Sequence, residues 1–104
     1  MSEPIDHASV DTGVLAETFR LLGDPTRLRI LLYCLAEARS VGDIAATLAL
    51  SQSLVSHHLR LLRAARLVAS TRRGKQVFYE LADRHVSDML ADMARHIGEE
   101  HRDD

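Results

Sequence analysis

Histidine and carboxylate side chains gather near the end of the chain, in the stretch DRHVSDMLADMARHIGEEH from Asp83 to His101. It holds three of the six histidines. Imidazole nitrogens and carboxylate oxygens suit borderline divalent ions such as Zn²⁺, Co²⁺ and Ni²⁺, so this stretch is a candidate metal site. The single cysteine, Cys34, lies in the apolar run LRILLYCLAEA. This placement predicts a buried thiol without a chemical role, and one cysteine excludes a thiolate-rich site within a subunit.

The spacing of the ligands on a helix decides which of them can share an ion. His85 and His96 are 11 residues apart. They share a face but are separated by about 16 Å, too far for metal bonds of about 2 Å. His96 and Glu99 are three residues apart and can chelate together. Asp83 and His85 can do so if Asp83 lies at the N-terminal boundary of the helix, where the backbone is still extended.

A second copy of this helix can complete both pairs of ligands. If two copies cross antiparallel about a twofold axis near Leu90 and Ala91, position 85 of one chain meets position 96 of the other. Apolar residues provide a seam for the pairing and small ones permit close approach. They are Val86, Met89, Leu90, Met93 and Ile97, with Ala91 and Ala94. The pattern predicts a homodimer in which each metal site takes one pair of ligands from each subunit.

Charge is distributed unevenly, although the formal net charge is only −2. Residues 44–79 contain six basic and no acidic side chains, whereas the segments before and after them sum to −3 and −5. Phosphate binding needs a positive surface, so the middle segment predicts a nucleic acid as a partner. The acidic last segment is suited to cations instead.

Apolar periodicity divides most of the chain into short helices. The first is predicted to end at Gly23, and the second begins at once in GDPTRLRILLYCLAEA, with Asp24 as its N-cap and Pro25 in its first position. A short third helix, SVGDIAATLAL, is followed after a brief break by SQSLVSHHLRLLRAA, with Ser51 as N-cap. These last two helices form a helix-turn-helix.

The segment LVASTRRGKQVFYEL changes period and predicts a β-hairpin with Gly74 at a positive-φ turn position. The final helix is predicted from about Asp83 to about Glu100. The fold class is therefore mainly α with a β-hairpin wing, a homodimeric winged helix-turn-helix. At 104 residues the chain makes about one domain, which we place at residues 12–104 after a flexible arm at residues 1–11.

A winged helix-turn-helix places its second helix in the major groove of DNA, while the hairpin tip reaches the backbone or the minor groove. Gln52 can read an adenine edge, and serine hydroxyls and tip cations can hold phosphates. The predicted DNA-contacting residues are Ser51, Gln52, Ser53, Ser56, His57, Arg60, Arg72, Arg73 and Lys75. The residues predicted to pack inward are Leu54, Val55, Leu59 and Leu62. His57 and His58 are interpreted as part of the DNA face and local packing, not as metal ligands.

Three segments, LGDPTRLRILLYCL, SQSLVSHHLRLLRAARLV and RRGKQVFYEL, resemble the ArsR/SmtB family of dimeric winged-helix transcriptional repressors. The resemblance covers about Ala16 to His101. It implies binding to double-stranded operator DNA as a homodimer, and release when an inducer, often a metal ion, binds. In the arsenic, cadmium and lead sensing branch, a cysteine pair lies in the segment matching ARSVGDIA, where this chain has Ser40 and Gly42.

Zinc-sensing members of that family bind metal with Asp and His from one last helix and His with His or Glu from the other. The matching positions here are held by Asp83, His85, His96 and Glu99. His101 matches a further ligand of the nickel- and cobalt-sensing relatives, whose other tail ligands would lie beyond Asp104. The resemblance thus implies Zn²⁺ first, with Ni²⁺ or Co²⁺ as alternatives. It also implies that the second nitrogen of His96 connects the metal to the backbone near Arg66.

Other functions fit parts of this sequence. A regulator of the same family with a non-metal effector or none is the main alternative, and a winged helix that binds proteins instead of DNA is another. An enzyme is disfavoured, because the chain has no His-Glu-x-x-His helix, no nucleophile with an evident base and no glycine-rich phosphate loop. No apolar run approaches the roughly 20 residues of a membrane span, and the start MSEPIDHASVDTG does not resemble a secretory signal. We therefore expect no membrane partner and a cytoplasmic location.

Overall fold

The computed structural model describes the backbone of residues 4–102 and the side chains of residues 4–99. Within that range, a short 3₁₀ turn at His7–Ser9 precedes five α-helices and three strands. Their bounds are α1 Thr12–Leu22, α2 Pro25–Tyr33, β1 Arg39–Ser40, α3 Val41–Leu48, α4 Gln52–Ala64, β2 Val68–Arg73, β3 Gln76–Leu81 and α5 Arg84–Arg102. None of the described helices has the length and apolar character needed to cross a membrane. The division into a flexible arm and a domain from residue 12 stays a prediction.

Side-chain caps begin the helices where the sequence predicts them. Asp24 accepts a hydrogen bond from the backbone N–H of Arg27 at 2.9 Å, and Pro25 opens α2. Ser51 accepts one from the N–H three residues on at 3.1 Å. These contacts satisfy backbone groups that have no partner within the helix. Gly23 ends α1, as predicted.

Left-handed residues bound α4 on both sides. Ala49, in the turn before it, has φ of 58°, and Arg66, just after it, has φ of 60°. In each turn the next N–H bonds to the carbonyl five residues earlier at 2.9 Å, which closes the preceding helix. A non-glycine residue in this region costs about 1–2 kcal/mol, so the surrounding packing must hold both turns in place.

The wing is a three-stranded antiparallel sheet with the strand order β1-β3-β2. The predicted hairpin is present, with Gly74 at φ 63° in its two-residue turn. The third strand was not predicted: Arg39 pairs with Tyr79 at the outer edge of β3. The segment GDPTRLRILLYCLAEA, with its apolar stripe reaching Leu35, predicts a longer second helix than the structure shows. The helix ends at Tyr33, and a turn and bends over residues 34–37 lead to β1, which pairs with β3.

The core lies between α2, α3, α4 and the base of the wing. The inward face of α4 is formed by four buried side chains: Val55, His58, Leu59 and Leu62. The largest fully buried side chains are Ile30, Leu31, Ile44, Leu59, Leu62, Val55 and Cys34. This packing turns the opposite face of α4 toward solvent.

Polar contacts hold the helix-turn-helix against α2. The hydroxyl of Tyr33 donates to Asp43 of α3 at 2.8 Å, and Thr47 donates to Tyr33 at 3.1 Å. Arg39 lies over the Tyr33 ring, 4.1 Å from its centroid. Arg29 donates to the carbonyl of Leu48 at 2.9 Å. The orientation of α3 is thus defined at both of its ends.

Candidate nucleic-acid interface and metal half-sites

The outer face of α4 carries the polar side chains that the sequence assigned to DNA contact. Gln52, Ser53, His57 and Arg60 are exposed, and Ser56 is half-buried. The hydroxyl oxygen of Ser51 already accepts the capping hydrogen bond, which leaves its O–H available as a donor. The structure therefore brings these residues onto one accessible surface.

Leu54 corrects the sequence prediction for this helix. It was expected to pack inward, but its side chain is 39% exposed. The inward face follows the spacing of Val55, Leu59 and Leu62, and residue 54 is about 100° away from that stripe. An exposed leucine at the start of a recognition helix can contact a thymine methyl group, so Leu54 joins the candidate DNA-contacting residues.

The tip of the wing carries the three predicted cations, all exposed. The Nε of Arg72 donates to the carbonyl of Gly74 at 3.2 Å. The guanidinium of Arg73 lies 4.7 Å from the centroid of the Phe78 ring. Within the described part of the chain, no hydrogen bond or ion pair engages the side chain of Lys75. The tip thus combines two positioned arginines with one unrestrained lysine.

The first pair of candidate metal ligands lies at the start of α5. Asp83 caps this helix, accepting from the N–H of Val86 at 3.1 Å, so it occupies the boundary position that the sequence required. Its Oδ1 is 3.6 Å from Nδ1 of His85, whose side chain is 98% exposed. The two side chains are close enough for both to reach one ion, and solvent reaches them freely.

The second pair lies near the other end of α5, where His96 and Glu99 are both exposed. The further candidate, His101, is outside the residues whose side chains the structure describes. Among the described side chains, no three of the His, Cys, Asp and Glu type lie close enough to share an ion. One chain therefore presents pairs of nitrogen and oxygen ligands, which fit a borderline divalent ion only when a second pair completes the coordination.

Helices α1 and α5 each leave a group of apolar side chains exposed. On α1, Val14, Leu15 and Phe19 are 63%, 46% and 53% exposed, and on α5 Met93 and Ile97 are 53% and 48% exposed. The exposed part of α5 differs in one respect from the apolar stripe that the sequence predicts for pairing of two final helices. Leu90 is buried in the core of its own subunit, at 7% exposure, so only the outer half of the stripe is free for another chain.

Cys34 is buried, as expected. Burial raises the pKa of its thiol to about 11. The thiolate, which is the form that binds soft metals, is therefore scarce at neutral pH.

Similarity to known proteins identifies the family of this chain. Residues 24–70 match the profile of a family described as bacterial regulatory protein, arsR family. The regulator CmtR of Mycobacterium tuberculosis is 44% identical over 83 residues, which cover 80% of this chain and 70% of the relative. The chain belongs to the arsR family. The resemblance carried by the three sequence segments is thus confirmed, and the family is one of regulators, as expected, and not of enzymes.

Another arsR-type relative, from Synechocystis, is named a transcriptional repressor SmtB homolog. It is 44% identical over 85 residues, covering 82% of this chain and 64% of the relative, so the chain spans less than two thirds of that protein. The homodimeric winged helix-turn-helix domain Mb0332 of Mycobacterium bovis has a TM-score of 0.80 at 25% identity, covering 97% and 93% of the two chains. The structure of the cadmium sensor CmtR has a TM-score of 0.66 at 45% identity, covering 74% and 80%. The predicted winged-helix fold is confirmed.

Proposed function

We propose that this chain is a metal-responsive transcriptional regulator that binds operator DNA as a homodimer and releases it when a divalent ion binds between two α5 helices. The observation that carries the proposal is the pairing of ligands on α5. Asp83 and His85 lie together at one end, and His96 and Glu99 lie at the other. Neither pair holds a metal well alone, but an antiparallel partner helix supplies what each pair lacks.

DNA binding is supported by the polar side chains at the start of α4 and by the cations at the tip of the wing. The exposed start of α4 carries Gln52, which has the donor and acceptor needed to read an adenine edge. The wing carries Arg72, Arg73 and Lys75 at a tip suited to phosphate contact. Residues 44–79 contain no acidic side chain, so this segment contributes no charge that repels a polyanion.

A homodimer accounts for the apolar side chains that a single chain leaves in water. Phe19 of α1 and Met93 of α5 are each 53% exposed, and the neighbouring residues of the same two faces are also apolar. Contiguous apolar surface of this kind is typical of protein interfaces. Mb0332, which shares the fold, is itself homodimeric.

The ligand set favours Zn²⁺, with Co²⁺ as a spectroscopic substitute. Two imidazoles and two carboxylates match a four-coordinate zinc ion, whereas a fifth ligand from His101 would favour Ni²⁺. The cadmium specificity of CmtR does not transfer readily, because soft ions prefer thiolates and Cys34 is buried and protonated.

Metal and DNA are then coupled through the dimer. A metal that is bound between subunits favours one relative orientation of the α5 helices, and thereby one separation of the two α4 helices. Metal must bind the DNA-incompetent dimer more tightly, and DNA must weaken metal binding by the same factor. A typical coupling is about 1–3 kcal/mol, or roughly 5- to 150-fold in affinity.

Subunit mixing tests the metal site directly. We expect His85→Ala and His96→Ala dimers to bind Co²⁺ poorly on their own, because each has lost a ligand from both sites. A mixed dimer contains one subunit of each variant, and one of its two sites keeps all four ligands. Mixing the two variants should therefore restore a Co²⁺ spectrum whose intensity is proportional to the amount of mixed dimer. No recovery on mixing would contradict the intersubunit site.

The response to metal is tested by measuring Zn²⁺ affinity with and without the duplex from the chain's own promoter. Affinities that are equal would refute the coupling, and a chelator-treated dimer that binds operator but no metal would favour the regulator with a non-metal effector. For the DNA face, Gln52→Ala should cost about 1–3 kcal/mol on the operator and relax base preference. Arg73→Ala should weaken all duplexes similarly and reduce the salt slope by about one unit.

A further inference from the structure

A buried histidine connects the recognition helix to the helices that precede it. His58 lies on the inward face of α4 and is 8% exposed. Its Nδ1 is 3.4 Å from Nη1 of Arg27 on α2. The adjacent His57 is exposed, with the two ring centroids 5.6 Å apart. Two neighbouring histidines therefore have different surroundings and different roles.

Arg27 is held from a second direction. Its Nε donates to the carbonyl of Leu21, in the last turn of α1, at 2.8 Å. A guanidinium is planar and its donors point in fixed directions, so it cannot turn away from His58 while keeping its bond to Leu21. One side chain on α2 thus joins the end of α1 to the middle of α4.

The contact between Arg27 and His58 depends on the protonation of the imidazole. A guanidinium has only donors, so a hydrogen bond to Nδ1 requires that this nitrogen be unprotonated, with the ring proton on Nε2. Protonation of Nδ1 places two N–H groups and two positive charges face to face. The contact is therefore broken, not merely weakened, when the ring becomes charged.

Neighbouring charges act on His58 from two helices. Burial lowers the pKa of His58 below its usual 6.5, and Arg27 and His57 act in the same direction, while Asp24 opposes them. Asp24 is held at the N-cap of α2 by the N–H of Arg27. The lowered pKa favours the neutral imidazole of His58 at neutral pH, and the ring becomes charged on acidification.

We propose that Arg27 and His58 position α4 for specific DNA binding, and that protonation of His58 releases α4, so that acidification lowers operator specificity without any metal. The proposal rests on the assignment of α4 as the DNA-reading helix of a homodimer. In such a dimer the exposed face of α1 packs against the second copy. Because Arg27 links Leu21 of α1 to His58 of α4, these contacts set the angle of α4 relative to the partner subunit. That angle sets the separation of the two recognition helices, which must match half-sites about 34 Å apart.

The experiment measures specificity, because protonated histidines strengthen non-specific binding to phosphate. Chelator-treated protein is titrated against its own promoter duplex and a random duplex by fluorescence anisotropy, at constant salt. From about pH 8 to about pH 5, the ratio of the two affinities should fall about tenfold, as expected for loss of a charge-assisted hydrogen bond. His58→Gln cannot ionise and can still accept from Arg27, so its ratio should stay within about twofold of its value at high pH.

The matched control is His57→Gln, which removes the exposed neighbour on the same helix. Whatever its affinity, this variant should keep the pH-dependent fall in specificity. Loss of the fall in His57→Gln, or a fall in His58→Gln equal to that of the wild type, would overturn the proposal. Circular dichroism at each pH establishes that the protein is folded.

NMR of the wild-type imidazole nitrogens tests the contact without any variant. At about pH 8 the ring of His58 should carry its proton on Nε2, and on acidification amide signals near Leu21 and along α4 should shift together with the ring. A ring protonated on Nδ1 at high pH, or constant specificity in folded wild-type protein, would overturn this proposal and leave the proposed function unaffected. Equal affinity for operator and random duplex at every pH would overturn the proposed function and this proposal with it.

Discussion

Truncation of Ile97 to alanine should weaken the homodimer while leaving the subunit folded. Ile97 is 48% exposed on the outer half of α5. The rest of its side chain lines a small apolar cavity of about 160 Å³, together with Leu28 and Leu32 of α2. In the proposed homodimer a second copy covers the exposed half of Ile97, so burial of that half would stabilise the dimer and not the isolated subunit.

The size of the effect follows from that exposure. Complete burial of an isoleucine contributes about 1.5–3 kcal/mol, so the exposed half contributes about 0.7–1.5 kcal/mol in each subunit. Over both subunits the dimer should lose about 1.5–3 kcal/mol, which raises its dissociation constant roughly 10- to 150-fold. The buried half of the side chain stabilises the subunit itself, so folding must be checked at the same time.

Sedimentation equilibrium of the metal-free protein over a range of concentrations measures the dissociation constant, and circular dichroism reports folding. Leu54→Ala is the matched control, because this leucine is 39% exposed but belongs to α4 and not to α1 or α5. Its dimer dissociation constant should stay within about twofold of the wild type, given that isolated exposed residues contribute little. An unchanged dissociation constant in folded Ile97→Ala protein would refute the placement of α5 in the interface.

Three further predictions concern the fold and are checked by urea denaturation. Leu62→Ala, at a position that is 0% exposed, should lower the free energy of unfolding by about 2–5 kcal/mol, and a loss below about 1 kcal/mol would contradict its place in the core. Gly74→Ala should cost about 1–2 kcal/mol through its φ of 63° alone, since no atom lies within 4 Å of the added Cβ; unchanged stability would contradict the turn. The hydrogen bond from the Arg27 N–H lowers the pKa of Asp24. The ionised carboxylate therefore stabilises the fold above its usual pKa of 3.8, and this stabilisation is lost as pH falls through the lowered pKa. Wild type and Asp24→Ala should therefore converge in acid, and a gap that persists to about pH 2 would argue against the cap.

Local sequence was sufficient for the ends of most helices and for the turn of the wing. Asp24, Ser51 and Asp83 each cap a helix by accepting a hydrogen bond from an N–H three residues away. Such contacts depend on residues within one turn, so they can be read from the order of residue types. Gly74 is predictable for the same reason, because its conformation is a property of a two-residue turn. The pairing of Asp83 with His85 follows from the capping position of Asp83.

The predictions that failed concerned segments whose conformation depends on distant residues. β1 is two residues long and has no periodicity of its own; it is a strand only because Arg39 and Ser40 pair with β3, nearly 40 residues later in the chain. The same pairing ends α2 earlier than its apolar pattern predicts. Local patterns carry no information on pairing over such separations.

Tertiary packing also decided which apolar and polar side chains face inward. In α5 the apolar stripe is continuous in sequence, yet Leu90 is in the core while Met93 and Ile97 remain exposed. The difference arises because Leu90 packs into the core, whereas Met93 and Ile97 border an open apolar cavity between α5 and α2. His57 and His58 are identical residues in adjacent positions, and only the rotation of α4 against α2 places one in solvent and the other against Arg27. The sequence by itself thus determined most of the elements and the candidate ligand pairs, whereas the tertiary structure determined which faces remain free, since burial depends on contacts between helices that local spacing does not specify.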